Sequence, residues 1–270
     1  MTRKLLLFDF DETFYKHQPT SRDIEDMKDM EQLLTQLSKE GVIVAILTGS
    51  ALASVLSKMT KTGMTFKPHY IATDLSSKLY TWNGKSYVIN ETYQKQVLDG
   101  TFELSEIQQL ISTISHKYHV SFQPQKKFQP HDTHYNYYFK MQGDEAEDQR
   151  ILNDLISMAS DQRYVVKYNR CNPRAGDPEN AYDVDFLPQQ AGKKYAAQFL
   201  MSLHDIPESQ VLGFGDSGND REFLRFLLNR FVMCNSTDSS MISEFEVTKY
   251  AYYKGLIYHI KDFKHNNNSY

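Results

Sequence analysis

Two short runs of the chain place carboxylates directly behind an apolar stretch. The first is Asp9-Phe10-Asp11-Glu12-Thr13, after Leu5-Leu6-Leu7-Phe8. The second is Gly213-Phe214-Gly215-Asp216-Ser217-Gly218-Asn219-Asp220, after Val211-Leu212. In an open α/β sheet, ligands bind beyond the carboxyl ends of the strands, so acids at both positions would converge. An isolated Asp-x-Asp is as readily a solvated loop. Two such clusters on one sheet would repel each other unless a cation lay between them. Hard oxygen donors, with no suitable set of Cys and His beside them, point to Mg²⁺. The glycines of the second cluster permit tight backbone geometry.

Two further pieces could handle phosphate. Thr48-Gly49-Ser50 ends a second apolar run, Val42 to Leu47, and opens a helix. A hydroxyl and free backbone N–H groups at a helix start suit an anion, although such a tripeptide is often only a cap. Lys193 follows Gly192 at the start of another helix and could neutralise phosphate, with Lys194 as a competitor for that role.

These residues need elements to carry them. Lys4 to Phe10, Val42 to Leu47 and Tyr70 to Thr73 read as buried strands. Between the first two, Thr20 and Asp23 form a capping box ahead of Ile24, Met27, Met30, Leu33, Leu34 and Leu37 at helical spacing. Gly41 suits the helix end. A second helix near Ser50 carries Leu52, Val55, Leu56 and Met59. Strand and helix in alternation imply a parallel sheet with right-handed crossovers. Beyond Asp74 the pattern changes. Asn83-Gly84 signals a hairpin, and a tyrosine-rich α+β stretch runs to Leu187. Alternation returns at Gly192. The expected fold is therefore α/β, a Rossmann-like parallel-sheet core of residues 1–81 and 188–270, with an inserted α/β cap domain over 82–187.

Composition excludes several classes. Lys and Arg total 30 against 34 Asp and Glu, a net charge of −4, which argues against nucleic acid as a partner. A 40% hydrophobic, 13% aromatic chain is that of an ordered globular protein. No apolar run approaches the ~20 residues that span a bilayer, so no membrane partner is expected. No signal-peptide pattern opens the sequence, and Cys171 and Cys234 make no disulfide framework. A soluble cytoplasmic protein, a monomer or weak dimer, is the expectation.

In this order the four pieces resemble the haloacid dehalogenase (HAD) superfamily of phosphatases, whose pattern is D-x-D-x-T, a strand-end Thr or Ser, a Lys, and G-D-x-x-N-D. The resemblance implies that Asp9 is a nucleophile forming an aspartyl-phosphate. It makes Asp11 the acid that protonates the leaving alkoxide and then the base that activates water. It implies Mg²⁺ held by the Asp9 carboxylate, the Asp11 carbonyl and Asp216, with Asp220 steadying its waters. Thr48 and Lys193 would bind the phosphoryl oxygens, with Gly49 beside them, and Asn219 would orient Lys193 or the phosphate. Lys193 is preferred to Lys194 because the residues after it match the small-residue helix of the family. The family usually has Gly after Asp11; here Glu12 adds a carboxylate that could reach a substrate amine or limit the size of the substrate.

The segment from Tyr168 to Pro188 concentrates Asn169, Arg170, Asn172, Asp177, Glu179, Asp183 and Asp185 in what reads as one loop region. Polar groups on a loop are a common means of reading a sugar. With the two acid motifs, the segment resembles the sucrose-phosphatase-like, Cof-type branch that contains kanosamine-6-phosphate phosphatases. That implies a sugar phosphate, and the acids would suit an ammonium group such as that of kanosamine 6-phosphate. A phosphoryl transferase or mutase on the same scaffold, or a phosphatase for sucrose-phosphate-like or other small phosphometabolites, stays open. A binding protein with a dead core would lack Asp9 or Asp11, and both are present. Cys171 has no catalytic His partner and reads as a structural thiol; His131 and His134 are a weak metal pair; Tyr135, Tyr137, Tyr138 and Phe139 read as core.

Overall fold

The computed structural model describes residues 3–98, 102–129, 132–171, 173 and 177–266. The first part of the chain forms β1 (Leu5–Phe8), α1 (Ser21–Lys39), β2 (Ile43–Leu47), α2 (Leu52–Lys61), β3 (Tyr70–Thr73), β4 (Lys78–Trp82) and β5 (Tyr87–Ile89). Then come α3 (Glu91–Val97), α4 (Leu104–Tyr118), β6 (Phe122–Pro124), β7 (Tyr135–Lys140), α5 (Glu145–Asp161), β8 (Tyr164–Arg170) and β9 (Ala181–Pro188). The chain closes with α6 (Lys193–His204), β10 (Val211–Gly215), α7 (Arg221–Phe226), β11 (Asn229–Val232), α8 (Ser239–Glu244) and α9 (Tyr252–Asn266). The chain divides into two compact units, residues 1–93 with 192–270, and residues 94–191.

The larger unit is built on a seven-stranded sheet ordered β11-β10-β1-β2-β3-β4-β5. The pairings from β11 to β3 are parallel, and β4 and β5 add antiparallel. β1 and β2 are buried along their whole length, as expected of strands covered on both faces. From β1 the chain proceeds to β2 and β3 on one side and later to β10 and β11 on the other. The switch in direction therefore lies between β1 and β10, where this class of sheet opens a crevice. Helix α1 has the capping box read from the sequence: Thr20 accepts from the Asp23 amide, and Asp23 accepts from the Thr20 amide. Its buried face, Met27, Met30, Leu34 and Leu37, packs with Phe8, Val44, Phe214 and Leu256 in one core cluster.

The hairpin at Asn83-Gly84 forms, but it belongs to this sheet: β3 pairs with β4, and β4 with β5. The expected boundary at residue 82 thus falls inside a hairpin of the larger unit, and the division comes at residue 94. The change from parallel to antiparallel strands alters the hydrophobic period without leaving the sheet. The start of α3 is fixed to this unit by the buried Tyr93, whose hydroxyl donates to the Ser76 carbonyl at 2.6 Å and whose ring meets Phe199. On the other side the division comes at Gly192, not at residue 188.

The smaller unit is an antiparallel sheet ordered β6-β7-β9-β8. Alternation sorts its two faces. Tyr135, Tyr137 and Phe139 on β7 stand opposite Phe186, Val184 and Tyr182 on β9, and these join Ile107, Leu110, Leu152 and Leu155 of α4 and α5 in a second core. The other face carries Asn136 and Tyr138 opposite Asp185 and Asp183. Tyr138 therefore leaves the aromatic core in which the sequence placed it.

Candidate active site

The site is assembled at the ends of β1 and β10. Phe8 is in register with Phe214, and the Asp9 amide donates to the Phe214 carbonyl at 3.0 Å. Asp9 and Asp216 are thereby brought together, the convergence read from the sequence. Thr13 Oγ1 donates to Asp216 Oδ1 at 2.9 Å and ties the first motif to the second. Behind Asp216 the chain makes a 3₁₀ turn, Gly218–Asp220, closed by a capping box between Ser217 and Asp220. One Asp220 oxygen accepts from the Asp216 and Ser217 amides at 3.0 and 3.2 Å. Gly215 makes room for this: a Cβ there would lie 2.4 Å from Asp220 Cγ.

Lys193 is the cation at the centre. Gly192, with φ of 112°, turns the chain into α6 and delivers Lys193 to the interior, 3% exposed, while Lys194 lies exposed. Of the two lysines, Lys193 is the one the fold places among the acids. Lys193 Nζ donates to Asp9 Oδ1 at 2.8 Å, Asp220 Oδ1 at 2.6 Å and Asn219 Oδ1 at 2.8 Å. A buried ammonium is tolerated only when its three donors are met. Asn219 here orients Lys193, the first of its two expected roles. Burial alone would lower Lys193; Asp220 and Asp9 outweigh it and hold the ammonium above its ordinary range.

The acids outnumber their cation. Oxygens of Asp9, Asp216 and Asp220 all lie within 4.8 Å of one another. Burial pushes the Asp9 carboxyl up to about 7, with Lys193 pulling it down and Asp220 adding to the rise. Burial pushes Asp216 up to about 8, with Asp9 and Asp220 adding to it. Asp220 has both oxygens engaged, by Lys193 and by the two amides, so its first task is to hold Lys193 and the turn.

Thr48, 1% exposed, ends β2, and its amide donates to the Ala72 carbonyl at 2.8 Å. Its Oγ1 accepts from the Ser50 amide at 3.1 Å ahead of α2. Gly49 fits between neighbours: a Cβ would lie 3.2 Å from Leu75 and 4.0 Å from Asn219. Asp11 is bound by two side chains whose link to it the sequence does not show: Lys58 is not singled out there, and Ser50 reads only as part of the Thr48-Gly49-Ser50 helix start. Ser50 Oγ donates to Asp11 Oδ2 at 2.7 Å, and Lys58 pairs with Oδ1. A polar residue at the turn after Thr48 and a lysine within α2 were the signals, neither distinctive alone. Glu12 takes φ of 59°, the left-handed conformation that explains why glycine suits this position. Its carboxylate accepts from the His17 amide at 2.9 Å and its carbonyl from Asn235 at 2.7 Å. The extra acid thus engages its own loop.

In the smaller unit the polar segment is not one loop. β8 runs to Arg170 and β9 begins at Ala181, so Asn169, Arg170, Asp183 and Asp185 stand on strands. Asn169 is exposed. Arg170 is an exposed partner of Glu145 at 2.8 Å. Asn172 lies outside the described residues, as does His131. Asp177 accepts from the Tyr138 hydroxyl at 3.2 Å. Asp183 accepts from Gln125, and Asn136 donates to Gln125 at 2.7 Å. His134 Nε2 lies 2.6 Å from the buried Asp185, so His134 has a carboxylate partner. Burial lifts Asp183 to about 6, with Asp185 adding to the rise. Burial and Asp177 push the Cys171 thiol up to about 11, which leaves it unreactive.

A nucleophile-type carboxylate, a second acid two residues on, a strand-end threonine and a buried lysine, at the switch point of a parallel sheet, define a HAD-type phosphatase. Comparison with known proteins narrows this. Residues 2–251 match the sucrose-6F-phosphate phosphohydrolase family, and the chain belongs to it. A hydrolase of Staphylococcus aureus (strain N315) is 48% identical, over 97% of each chain. The kanosamine-6-phosphate phosphatase of Bacillus subtilis (strain 168) is 29% identical over 93% of this chain and 89% of that one. The crystal structure of a haloacid dehalogenase-like hydrolase from Bacillus subtilis superposes with a TM-score of 0.76 at 28% identity, covering 96% of this chain and 91% of that one. The protein is a HAD-family sugar phosphatase. No helix among the described residues is long and apolar enough to cross a membrane.

Proposed function

We propose that this phosphatase hydrolyses the 6-phosphate of an amino sugar, of the kanosamine 6-phosphate kind, through an aspartyl-phosphate on Asp9 and with Mg²⁺ at the Asp9–Asp216 cluster. The observation that carries the reaction is the Lys193 ammonium bonded to Asp9 beside a second strand-end acid. Asp9 attacks phosphorus as the bond from phosphorus to the sugar oxygen breaks. Asp11 gives that oxygen its proton, and the sugar leaves as a neutral alcohol. Asp11 then takes a proton from water as the water oxygen attacks the phosphoaspartate, which frees phosphate and restores Asp9. Lys193 and the Thr48 hydroxyl bind the phosphoryl oxygens as charge spreads over them.

The donor set fits a hard divalent cation. Three carboxylates against one lysine leave two negative charges to be balanced, all the donors are oxygens, and burial has raised both Asp9 and Asp216. The Asp9 and Asp216 carboxylates and the Asp11 carbonyl are the residues we assign to hold it, with Asp220 behind them. Bound there, Mg²⁺ would screen the negative charge of the phosphoryl group. For the sugar, the support is the named Bacillus subtilis relative and the acid-bearing sheet face of the smaller unit, Asp183 above all.

Asp9→Asn tests the covalent step. Replacing one oxygen of a polar site leaves the fold intact, and kcat should fall at least ~10⁴-fold, the scale of losing a nucleophile. Phosphate release within tenfold of the unmutated enzyme would exclude Asp9 as nucleophile.

A further inference from the structure

Asp11 takes no part in the hydrogen bonds around Lys193; another element holds it. Ser50, just ahead of α2, donates to Oδ2 at 2.7 Å, and Lys58, in the second turn of α2, pairs with Oδ1. Both carboxylate oxygens are therefore fixed from α2 and the turn that leads into it. Lys58 is itself steered: its Nζ lies 5.6 Å from the centre of the Tyr15 ring, and Tyr15 is bridged to Asp11 through the backbone. The pair is only 20% and 25% exposed, tucked beside the catalytic loop. An ion pair near the surface stabilises a fold by about 0–1 kcal/mol, too little to explain why α2 and the turn before it commit a lysine and a serine to one acid.

We propose that Lys58 and Ser50 are positioning residues for the leaving-group proton: they fix the Asp11 carboxyl in the orientation from which it reaches the departing sugar oxygen. The inference rests on Asp11 being that acid. As the phosphorus–oxygen bond breaks, the proton passes from Asp11 to the sugar oxygen, and the remaining carboxylate faces the Lys58 ammonium and the Ser50 hydroxyl. An alkyl oxygen departs poorly without the proton. The oxygen of an acidic phenol departs without it. Misplacing Asp11 should therefore penalise the first substrate far more than the second, whereas damage to the fold or to phosphate binding would penalise both alike.

The experiment compares kcat/KM, which reports steps up to phosphoryl transfer, for glucosamine 6-phosphate and 4-nitrophenyl phosphate on the same enzyme sample. Inactive molecules cancel in that ratio. Lys58→Met should lose about 30-fold on the sugar phosphate, a loss at least tenfold greater than on the aryl ester. Lys58→Arg should recover most of it, and Ser50→Ala should shift the ratio the same way by less. Equal losses on both substrates, or no loss on the sugar phosphate, would overturn the proposal. Asp11→Asn is the control for the reading beneath it: if that variant does not discriminate between the two esters, Asp11 is not the acid, whatever Lys58→Met does.

Discussion

Both units bury carboxylates, and they treat them differently. In the larger unit Asp9, Asp216 and Asp220 surround a fully buried lysine, and glycine-tight backbone presses them together. In the smaller unit Asp183 and Asp185 lean on a glutamine and a histidine, and no lysine or arginine bonds to either among the described residues. Burial lifts the acids in both places, to about 7 and 8 in the first and about 6 for Asp183 in the second. The first arrangement is built around a fixed internal cation and still carries surplus negative charge. The second has neutral or titratable partners bonded to its acids, and Lys167 stands opposite Asp185 in the strand register. On the proposed function, the permanent charge network serves chemistry common to many phosphate esters, and the acids of the smaller unit serve discrimination between sugars.

The sharpest way to break the contrast is to remove the fixed cation. Lys193→Met leaves three buried carboxylates facing one another, and breaking a buried pair from one side costs about 3–5 kcal/mol. Denaturant unfolding at pH 8 should show that loss. At pH 5 the loss should shrink, because Asp9, already pushed up to about 7, takes a proton in place of the ammonium. An undiminished stability at pH 8 would mean that Lys193 does not hold the cluster.

Most of the larger unit was legible in the sequence because its signals are local. The apolar strand followed by acids, the Thr20–Asp23 capping box and the Gly192–Lys193 helix start each carry their own physical reason. The boundary at residue 82 was misread because β4 and β5 change strand direction while remaining in the sheet. The bonds of Lys58 and Ser50 to Asp11 were not legible because they are made across the fold: Lys58 stands 47 residues from Asp11 along the chain. The loop contact of Glu12 was not legible because a sequence shows a charge but not the left-handed φ with which it meets the His17 amide. The acids of the smaller unit were found as a composition, while their division between strand and loop depended on where β8 and β9 end.

The second test asks whether the surplus charge of the larger unit is a metal site. Asp9 and Asp216 hold protons in the folded, metal-free protein that the unfolded chain has lost above its ordinary carboxylate range. Stability should therefore fall as pH rises through about 7 to 8. A divalent cation must displace those protons, so its binding strengthens with pH. Added Mg²⁺ should raise the unfolding midpoint by several degrees at pH 8 and by less at pH 6. Asp216→Asn should abolish most of that rise while raising the midpoint of the metal-free protein at pH 8. An equal Mg²⁺ effect at both pH values would argue against these acids as its ligands.

The smallest expected effect tests the other half of the comparison. Asp183 is lifted to about 6 by burial, with Asp185 adding to the rise and Gln125 pulling against it. Between the ordinary carboxylate range and about 6, the folded protein keeps a proton that the unfolded chain has released. Stability contributed by that proton is present in acid and lost as pH rises through about 6, and the full penalty of the charged form stands at pH 8. Because Asp183 is only partly buried, solvent screening reduces that penalty to about 1 kcal/mol. Asp183→Asn keeps an oxygen for Gln125 and removes the charge. It should therefore be about 1 kcal/mol more stable than the unmutated protein at pH 8, and the two should converge near pH 4. If the acid is kept at that cost because an ammonium meets it, the same variant should lower kcat/KM for glucosamine 6-phosphate about 30-fold relative to glucose 6-phosphate, the lower part of the range for losing one partner of a charged pair. A gain in stability with the sugar preference intact would make Asp183 an acid without a recognition role, and the amine reading would have to move to another residue. A loss of stability would show that His134 and Gln125 already satisfy the charge, and the contrast between the two units would fail with it.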